Sequence, residues 1–329
     1  MMLPFHSVTV VLLVTAVSSF HAYAQPADEA RSYPSRPVRI VVGFTPGGQP
    51  DIVARLLAPK LYDAFGQQFV VDNRPGAGGV VGAKIVADAT PDGHTLLSSS
   101  SSHTIAPVVH AKIPYDVVKD FSGVLMTTNA SYVLAVAPML NVKTIKELVA
   151  LAKAKPGQLN FSSAGTGSGT HFAGEIFKQA TQIDVVHVPY KGIPESLTDT
   201  VAGRVQFTTA PLGSSVALVR DGRLRGIAVL SAKRAAIHPD LPTVAESGYP
   251  GFNWNSWSSI VAPAKTPRAI INKLNQEITR ILSEPEVLQR LAAIGMEAAP
   301  NTPQQLDQFI ATQLAQIRAL AQKAGIQPR

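Results

Sequence analysis

The chain has 329 residues, with 29 Lys and Arg against 22 Asp and Glu, a net charge of +7 and no cysteine. Without cysteine it forms no disulfide and cannot carry the lipid of a bacterial lipoprotein, so its stability must come from burial. The basic residues are scattered, with no run and no interleaved aromatics, which argues against nucleic acid, although a positive surface concentrates anionic ligands.

In chain order, Val8 to Val17 form an apolar run of secretory length, too short to span a bilayer, and Ala22-Tyr23-Ala24 supplies a small-x-small cleavage pattern. Residues 1–24 therefore read as a signal peptide, with the mature start near Gln25. Short apolar strands then alternate with amphipathic helices, the pattern of parallel α/β layers. Strands are predicted at 38–42, 68–71, 95–99, 132–137, 159–162, 185–188 and 226–231. After Pro46-Gly47-Gly48, the residues Val53, Leu56, Leu57, Leu61 and Phe65 recur at helical spacing until Gly66, with Pro59 expected to kink the helix or cost it one bond. Thr144-Ile145-Lys146-Glu147, Ser283-Glu284-Pro285-Glu286 and Thr302-Pro303-Gln304-Gln305 match capping boxes, and Thr266-Pro267 places a cap before a proline. The C-terminal end is almost wholly helical and is expected to layer onto one lobe. There is no repeat and no low-complexity linker, so two lobes would be joined by ordinary strands near 131–138 and 253–263.

Two strand-to-helix turns are rich in glycine and hydroxyls. The first contains Phe44, Thr45, Gly47, Gly48 and Asp51; the second contains Ser163, Gly165, Thr166, Ser168, Gly169, Thr170 and His171. Glycine lets the backbone approach a ligand closely, and a helix start leaves N–H groups unpaired at its positive end. Such turns make an anion site without an arginine. Ser100 and His103 end a third strand, while Tyr190, Lys191 and Gly192 end a fourth, offering a ring to stack and a cation to hold a carboxylate. Gly76-Ala77-Gly78-Gly79 fits close helix packing as well as binding, and Asp51 fits a helix-capping acid as well as an acceptor for a ligand amine.

Enzyme signatures are missing. Thr166 stands where a nucleophile elbow around Ser168 needs glycine, and Thr170 where a dinucleotide fingerprint needs its third glycine. No Walker A and no H-E-x-x-H occurs; His171 and Glu175, four apart, read as a hydrogen-bonded pair and not as a metal site. No metal and no cofactor is expected. A competing reading is an exported α/β hydrolase using Ser168 or a hydroxyl from 98–102 with His103 or His171. Another is the effector-sensing lobe pair of a transcription regulator, against which stand the signal segment and the lack of a DNA-binding module.

The mature chain resembles the Bug-type receptors of tripartite tricarboxylate transporters. The resemblance rests on Phe44-x-Pro46-Gly47-Gly48-x-x-Asp51-x-x-Ala54-Arg55, Val71-x-Asn73-Arg74-Pro75-Gly76-Ala77-Gly78-Gly79 and Ala87-x-Ala89-x-Pro91-Asp92-Gly93. Pro189-Tyr190-Lys191-Gly192, Leu241-Pro242-Thr243-Val244-Ala245-Glu246-Ser247-Gly248 and Ala262-Pro263-Ala264-x-Thr266-Pro267 extend it over nearly the whole mature chain. It implies an α/β, two-lobed type II periplasmic-binding-protein (Venus flytrap) fold, with residues 33–131 and 254–329 as lobe 1, carrying the C-terminal helical layer, and 132–253 as lobe 2. It also implies a non-enzymatic periplasmic monomer that holds a small organic acid in the cleft through backbone amides of the first two loops. Such a receptor delivers its ligand to integral membrane transporter subunits, or signals where no transporter exists. The chain departs from the pattern at Gly43, Thr45 and Ile193-Pro194-Glu195. It departs again where Gln206 and the 208–211 wall, including Ala210, stand in place of an acidic pair, which speaks against an amino-acid ligand.

Overall fold

The computed structural model describes residues 32–323 and 325–328; the expected signal peptide lies outside them. Two sheets share one long strand. In the first, β1 (Val38–Val42) runs parallel to β2 (Phe69–Asn73) on one side and β3 (Thr95–Ser100) on the other. β3 then pairs antiparallel with β9 (Asn255–Pro263), which pairs antiparallel with the first part of β4 (Phe121–Val136). The short β10 (Met296–Ala298) also pairs with this part of β4, opposite 128–130. From Tyr132 onward, β4 belongs to the second sheet, pairing antiparallel with β7 (Phe207–Pro211) and β8 (Arg225–Val229). β7 continues in parallel to β5 (Asn160–Ser163), and β5 to β6 (Val186–Pro189).

The strand predicted at 132–137 is thus only the second half of β4. Its first half carries Gly123, Asn129 and several hydroxyls and shifts register at Gly123/Leu125 and Met126/Thr128, which erases the alternation a strand normally shows. β7 is a buried run of Phe207, two threonines, Ala210 and Pro211, too polar to announce itself.

Helix α1 (Gln49–Phe65) begins four residues before its apolar periodicity, at a Gly48 N-cap with no side-chain cap. Pro50 is tolerated in the first turn because its missing N–H has no helical partner there. The helix runs through Pro59, and Gly66 closes it at φ 71°, its N–H donating to the Tyr62 carbonyl at 2.8 Å. Further helices are α2 (Val80–Ala87), α3 (Ser102–Val109), α4 (Ile145–Ala154), α5 (Gly169–Thr181), α6 (Ile193–Val201) and α7 (Leu212–Arg220). The C-terminal layer is α8 (Arg268–Leu282), α9 (Pro285–Ala293) and α10 (Pro303–Lys323).

That layer covers the first sheet. Leu306, Ile310, Leu314 and Ile317 bury one stripe of α10, which packs on β4 and α3. Asn275 of α8 donates to the Val124 carbonyl at 2.9 Å, and Asp307 accepts the Gly123 N–H at 2.7 Å. Two of the expected caps form: Thr144 accepts the Glu147 N–H at 3.2 Å, and Thr302 accepts the Gln305 N–H at 3.3 Å while Gln305 returns the bond at 2.9 Å. Two do not. The Ser283 hydroxyl donates back to Thr279 and the N-cap is Glu284; the Thr266 hydroxyl donates back to Pro263 and the N-cap is Pro267. Each hydroxyl closes the preceding turn instead of opening the next helix.

Candidate functional site

Between the two sheets lies a small cavity. Phe44, Gly48, Gln49, Pro50, Ser100 and Ser256 line the side of the first sheet. Ala164, Ser168, Gly169, Thr170, Ile193 and Pro211 line the opposite side, and Tyr132, at the crossing of β4, completes it. The start of α1 and the start of α5 therefore look into one space. At each, the first N–H groups have no carbonyl within the helix to bond. On α1 these are Gln49 and Asp51, since Pro50 has none; on α5 they are Gly169 and Thr170, while the His171 N–H is taken by the Ser168 hydroxyl at 3.1 Å. Two positive helix ends converge on one cavity.

The surrounding bonds fix both starts. Asp51 accepts the Gly47 N–H at 2.9 Å, Arg55 Nε at 3.0 Å and Asn73 Nδ2 at 2.9 Å, so it braces the first loop from behind. Asn73 also donates to the Phe44 carbonyl at 3.0 Å, and the Ser98 hydroxyl to the Pro50 carbonyl at 2.8 Å. Gln49 is tied at both ends, its Nε2 donating to Thr128 at 3.2 Å and its Oε1 accepting from Ser256. In the second loop the Ala164 N–H donates to Thr170 Oγ1 at 2.8 Å, and Thr209 donates to the Thr170 carbonyl at 2.8 Å. A side chain at Gly169 would displace its neighbours: a Cβ there would sit 2.3 Å from both Ser101 Oγ and Tyr132 Oη.

The lips of the cavity touch. Thr45 Oγ1 donates to Glu195 Oε2 at 2.9 Å, and His110 Nε2 lies 3.2 Å from the Thr166 carbonyl. Gly78, at φ +62°, presses against the second loop so closely that a Cβ would lie 2.1 Å from the Thr166 carbonyl.

Of the residues singled out in the sequence, Phe44, Gly48, Ser100, Ser168, Gly169 and Thr170 line the cavity. Thr45, Gly47 and Gly192 sit at its rim, where Gly47 faces Pro194 and Gly192 faces Thr45. Gly165 packs under Tyr190, whose hydroxyl donates to Asp199 at 2.6 Å and is pushed up to about 12 by desolvation and that carboxylate; Lys191 is exposed. Ser163 and Ala210 are fully enclosed behind the lining, Ala210 beside Pro211 on β7. His103 borders a second, smaller cavity, which shares Phe44 and Ser100 with the first. Burial there pulls its pKa down to about 4. His171 Nε2 lies 3.8 Å from Glu175 Oε1, on one helix face as the spacing predicts but beyond the length of the hydrogen bond expected there, and its ring lies 4.2 Å from that of His187. Sequence reasoning missed Gln49, Pro50, Tyr132, Ala164, Ile193, Pro211 and Ser256. Gln49 and Pro50 follow directly from the first loop, whereas Tyr132 and Ser256 are brought in by crossing strands that no local motif marks.

A serine–histidine contact does exist: Ser163 Oγ lies 2.6 Å from His187 Nε2, but Ser163 is wholly buried and closed to substrate. Ser168, the other candidate nucleophile, is engaged with Thr170 at 2.9 Å and with the His171 N–H. Among the described residues no group of three or more His, Asp or Glu side chains is placed to hold a metal, and no helix is long and apolar enough to cross a membrane.

Comparison with known proteins places this geometry. Residues 53–326 match the tripartite tricarboxylate transporter family receptor. BugT of Bordetella pertussis is 37% identical over 298 residues, 90% of this chain and 91% of that protein. A protein from a Pseudomonas tcbD-tcbE intergenic region is 35% identical over 295 residues, 89% of this chain and 87% of its own. The structure of Rpa4515 from R. palustris with adipate superposes with a TM-score of 0.88 at 34% identity, covering 90% of this chain and all of that one. MatC from Rhodopseudomonas palustris with bound malate superposes at 0.85 and 30% identity, covering 88% of this chain and 99% of that one. The two sheets about a shared strand are therefore the two-lobed periplasmic-binding-protein fold. The chain belongs to the tripartite tricarboxylate transporter receptor family.

Proposed function

We propose that this chain is a periplasmic receptor that captures a small carboxylate between two lobes and delivers it to integral membrane subunits of a tripartite tricarboxylate-type transporter. One observation carries the reading: the N-termini of α1 and α5 face one cavity whose lining holds no charged side chain. A carboxylate bound there accepts hydrogen bonds from main-chain donors at the positive ends of two helices. Rpa4515 and MatC, close in fold, hold adipate and malate, both carboxylates.

In this reading residues 1–24 direct export and are removed. Residues 33–131 and 254–329 form lobe 1, and 132–253 form lobe 2. Ligand binding favours the closed form through the contacts at the lips. Phe44 covers the apolar part of the ligand, with Tyr190 supporting the rim from behind. The receptor works as a monomer and performs no chemistry.

The test is native mass spectrometry of protein purified without unfolding, joined to tryptophan fluorescence, since Trp254 and Trp257 lie buried at the start of β9. An intact acid retained in the cleft, with a fluorescence response to its re-addition, is the expected result. Release of a transformed product would turn the assignment toward the hydrolase. A ligand seated away from both helix starts would sink it.

A further inference from the structure

The second cavity, across Phe44 from the first, has polar walls where a core would be apolar. Ser99, Ser100, Ser102, His103 and Tyr115 border it, and Phe44 and Ser100 are the wall it shares with the first cavity. Helix α3 begins here, so the Ser102 and His103 N–H groups, which have no carbonyl within the helix to bond, lie at a third positive helix end. His103 is almost fully buried, and neither ring nitrogen completes a hydrogen bond; the Val117 carbonyl comes near enough to favour an N–H without closing one. A buried imidazole without a partner is costly unless something brings it one. Ser100 and Ser102 bond each other at 3.0 Å, which uses one hydroxyl proton of the pair and leaves the other to give. Gly79, at φ +103°, keeps the space open: a Cβ there would lie 3.2 Å from both the Phe44 ring and Ser102 Oγ.

We propose that this second cavity seats a second acid group, and that binding there takes up a proton. The receptor then holds a diacid end to end, one carboxylate at the starts of α1 and α5 and the other at the start of α3 beside His103. The proposal rests on the carboxylate reading above. The chain between the two acid groups passes Phe44 and Ser100, the wall the cavities share. Of the second cavity's lining only His103 and Tyr115 titrate, and no charged side chain acts on either. Burial keeps both neutral, pulling the imidazole down to about 4 and pushing the phenol up. An arriving carboxylate is the charge this cavity lacks, and it favours the protonated ring. One proton therefore leaves the buffer for a ring nitrogen of His103 and is shared there between imidazole and carboxylate. A monoacid leaves the second cavity unfilled and takes up none.

The test is titration calorimetry on the intact receptor at about pH 6.5, in buffers of low and high ionisation enthalpy, which together count the protons taken up. The probes are matched in chain length: succinate with butyrate, adipate with hexanoate, pimelate with heptanoate, suberate with octanoate. At least one diacid is expected to bind about 10-fold tighter than its monoacid or better, and to take up about one proton more. His103→Gln, whose amide cannot accept that proton, is expected to bring the proton difference near zero and to narrow the affinity gap, whatever its absolute affinities. Every diacid within about twofold of its monoacid, or equal proton counts for the two, overturns the proposal and leaves the carboxylate reading standing. A proton difference that survives His103→Gln in a folded variant overturns it as well. The proton count of the natural protein decides the matter even where the variant does not fold. Failure of every acid overturns both readings.

Discussion

His103 sits edge-on to Phe121 at a centroid distance of 4.7 Å and is buried nearly completely. Desolvation holds its folded pKa at about 4, against 6.5 for an ordinary imidazole. The unfolded chain therefore takes up this proton first as pH falls, so the native state loses stability between pH 6.5 and 4, and the loss is complete below that window. The contribution is about 3 kcal/mol at most. Urea unfolding at pH 7 and pH 4.5 is expected to show a smaller acid penalty for His103→Gln than for the natural protein, whatever the two absolute stabilities. Gly78 makes a different prediction, because it abuts the opposite loop at the Thr166 carbonyl. Gly78→Ala is expected to hold the lips apart and weaken acid binding by at least about 10-fold, while far-UV circular dichroism stays unchanged. Binding within twofold of the natural protein would show that the lips need not meet. At this scale the sequence points to six of the thirteen residues that line the cavity, just under half. Gly48, Ser168, Gly169 and Thr170 were legible because helix starts announce themselves by residue type. Tyr132 and Ser256 were not, since their place in the cavity comes from the strand pairings that 130, 131 and 132 make with 256, 255 and 211.

Among the elements, the parallel strands β1, β3, β5 and β6 fall within two residues of where their sequence runs put them, whereas α1 starts four residues before its apolar periodicity. The strand runs are short and bounded by turns, and those of β1 and β6 are β-branched. The antiparallel elements were harder: β4 was half seen, and β7 and β10 carry too few large apolar side chains to stand out. Capping hydroxyls show the limit of local reading, since Thr144 and Ser283 open the same four-residue pattern and only Thr144 caps. Thr144→Ala is expected to cost about 1 kcal/mol in denaturant unfolding and Ser283→Ala at most a few tenths. Equal costs would contradict the bonding described. The Thr45–Glu195 bond joins the β1–α1 turn to the first turn of α6 across the opening. Glu195 is exposed, so the bond is modest; Thr45→Ala is expected to speed release of a retained acid by about 2- to 5-fold in stopped-flow chase, with little change in association.

For the whole molecule, the net charge of +7 acts at long range while the cavity itself is uncharged. Salt is therefore expected to slow the association of an anionic acid and to leave its dissociation nearly constant, and rates measured at about 10 mM and 200 mM salt separate the two. A dissociation rate that carries the salt dependence would place a surface charge in the site.

The sharing of β4 has a mechanical consequence. Its backbone runs unbroken from one sheet to the other, and the Tyr132 carbonyl accepts the Leu230 N–H just past the crossing, with the Trp254 N–H bonded to the Leu230 carbonyl. A continuous β ribbon yields readily to twisting about its length and strongly resists sliding, because sliding would break a whole ladder at once. It acts as a torsion bar. In the closure proposed above, the jaws would swing along one arc and return to the same alignment each time, so that an acid meets the same pair of helix starts on every cycle.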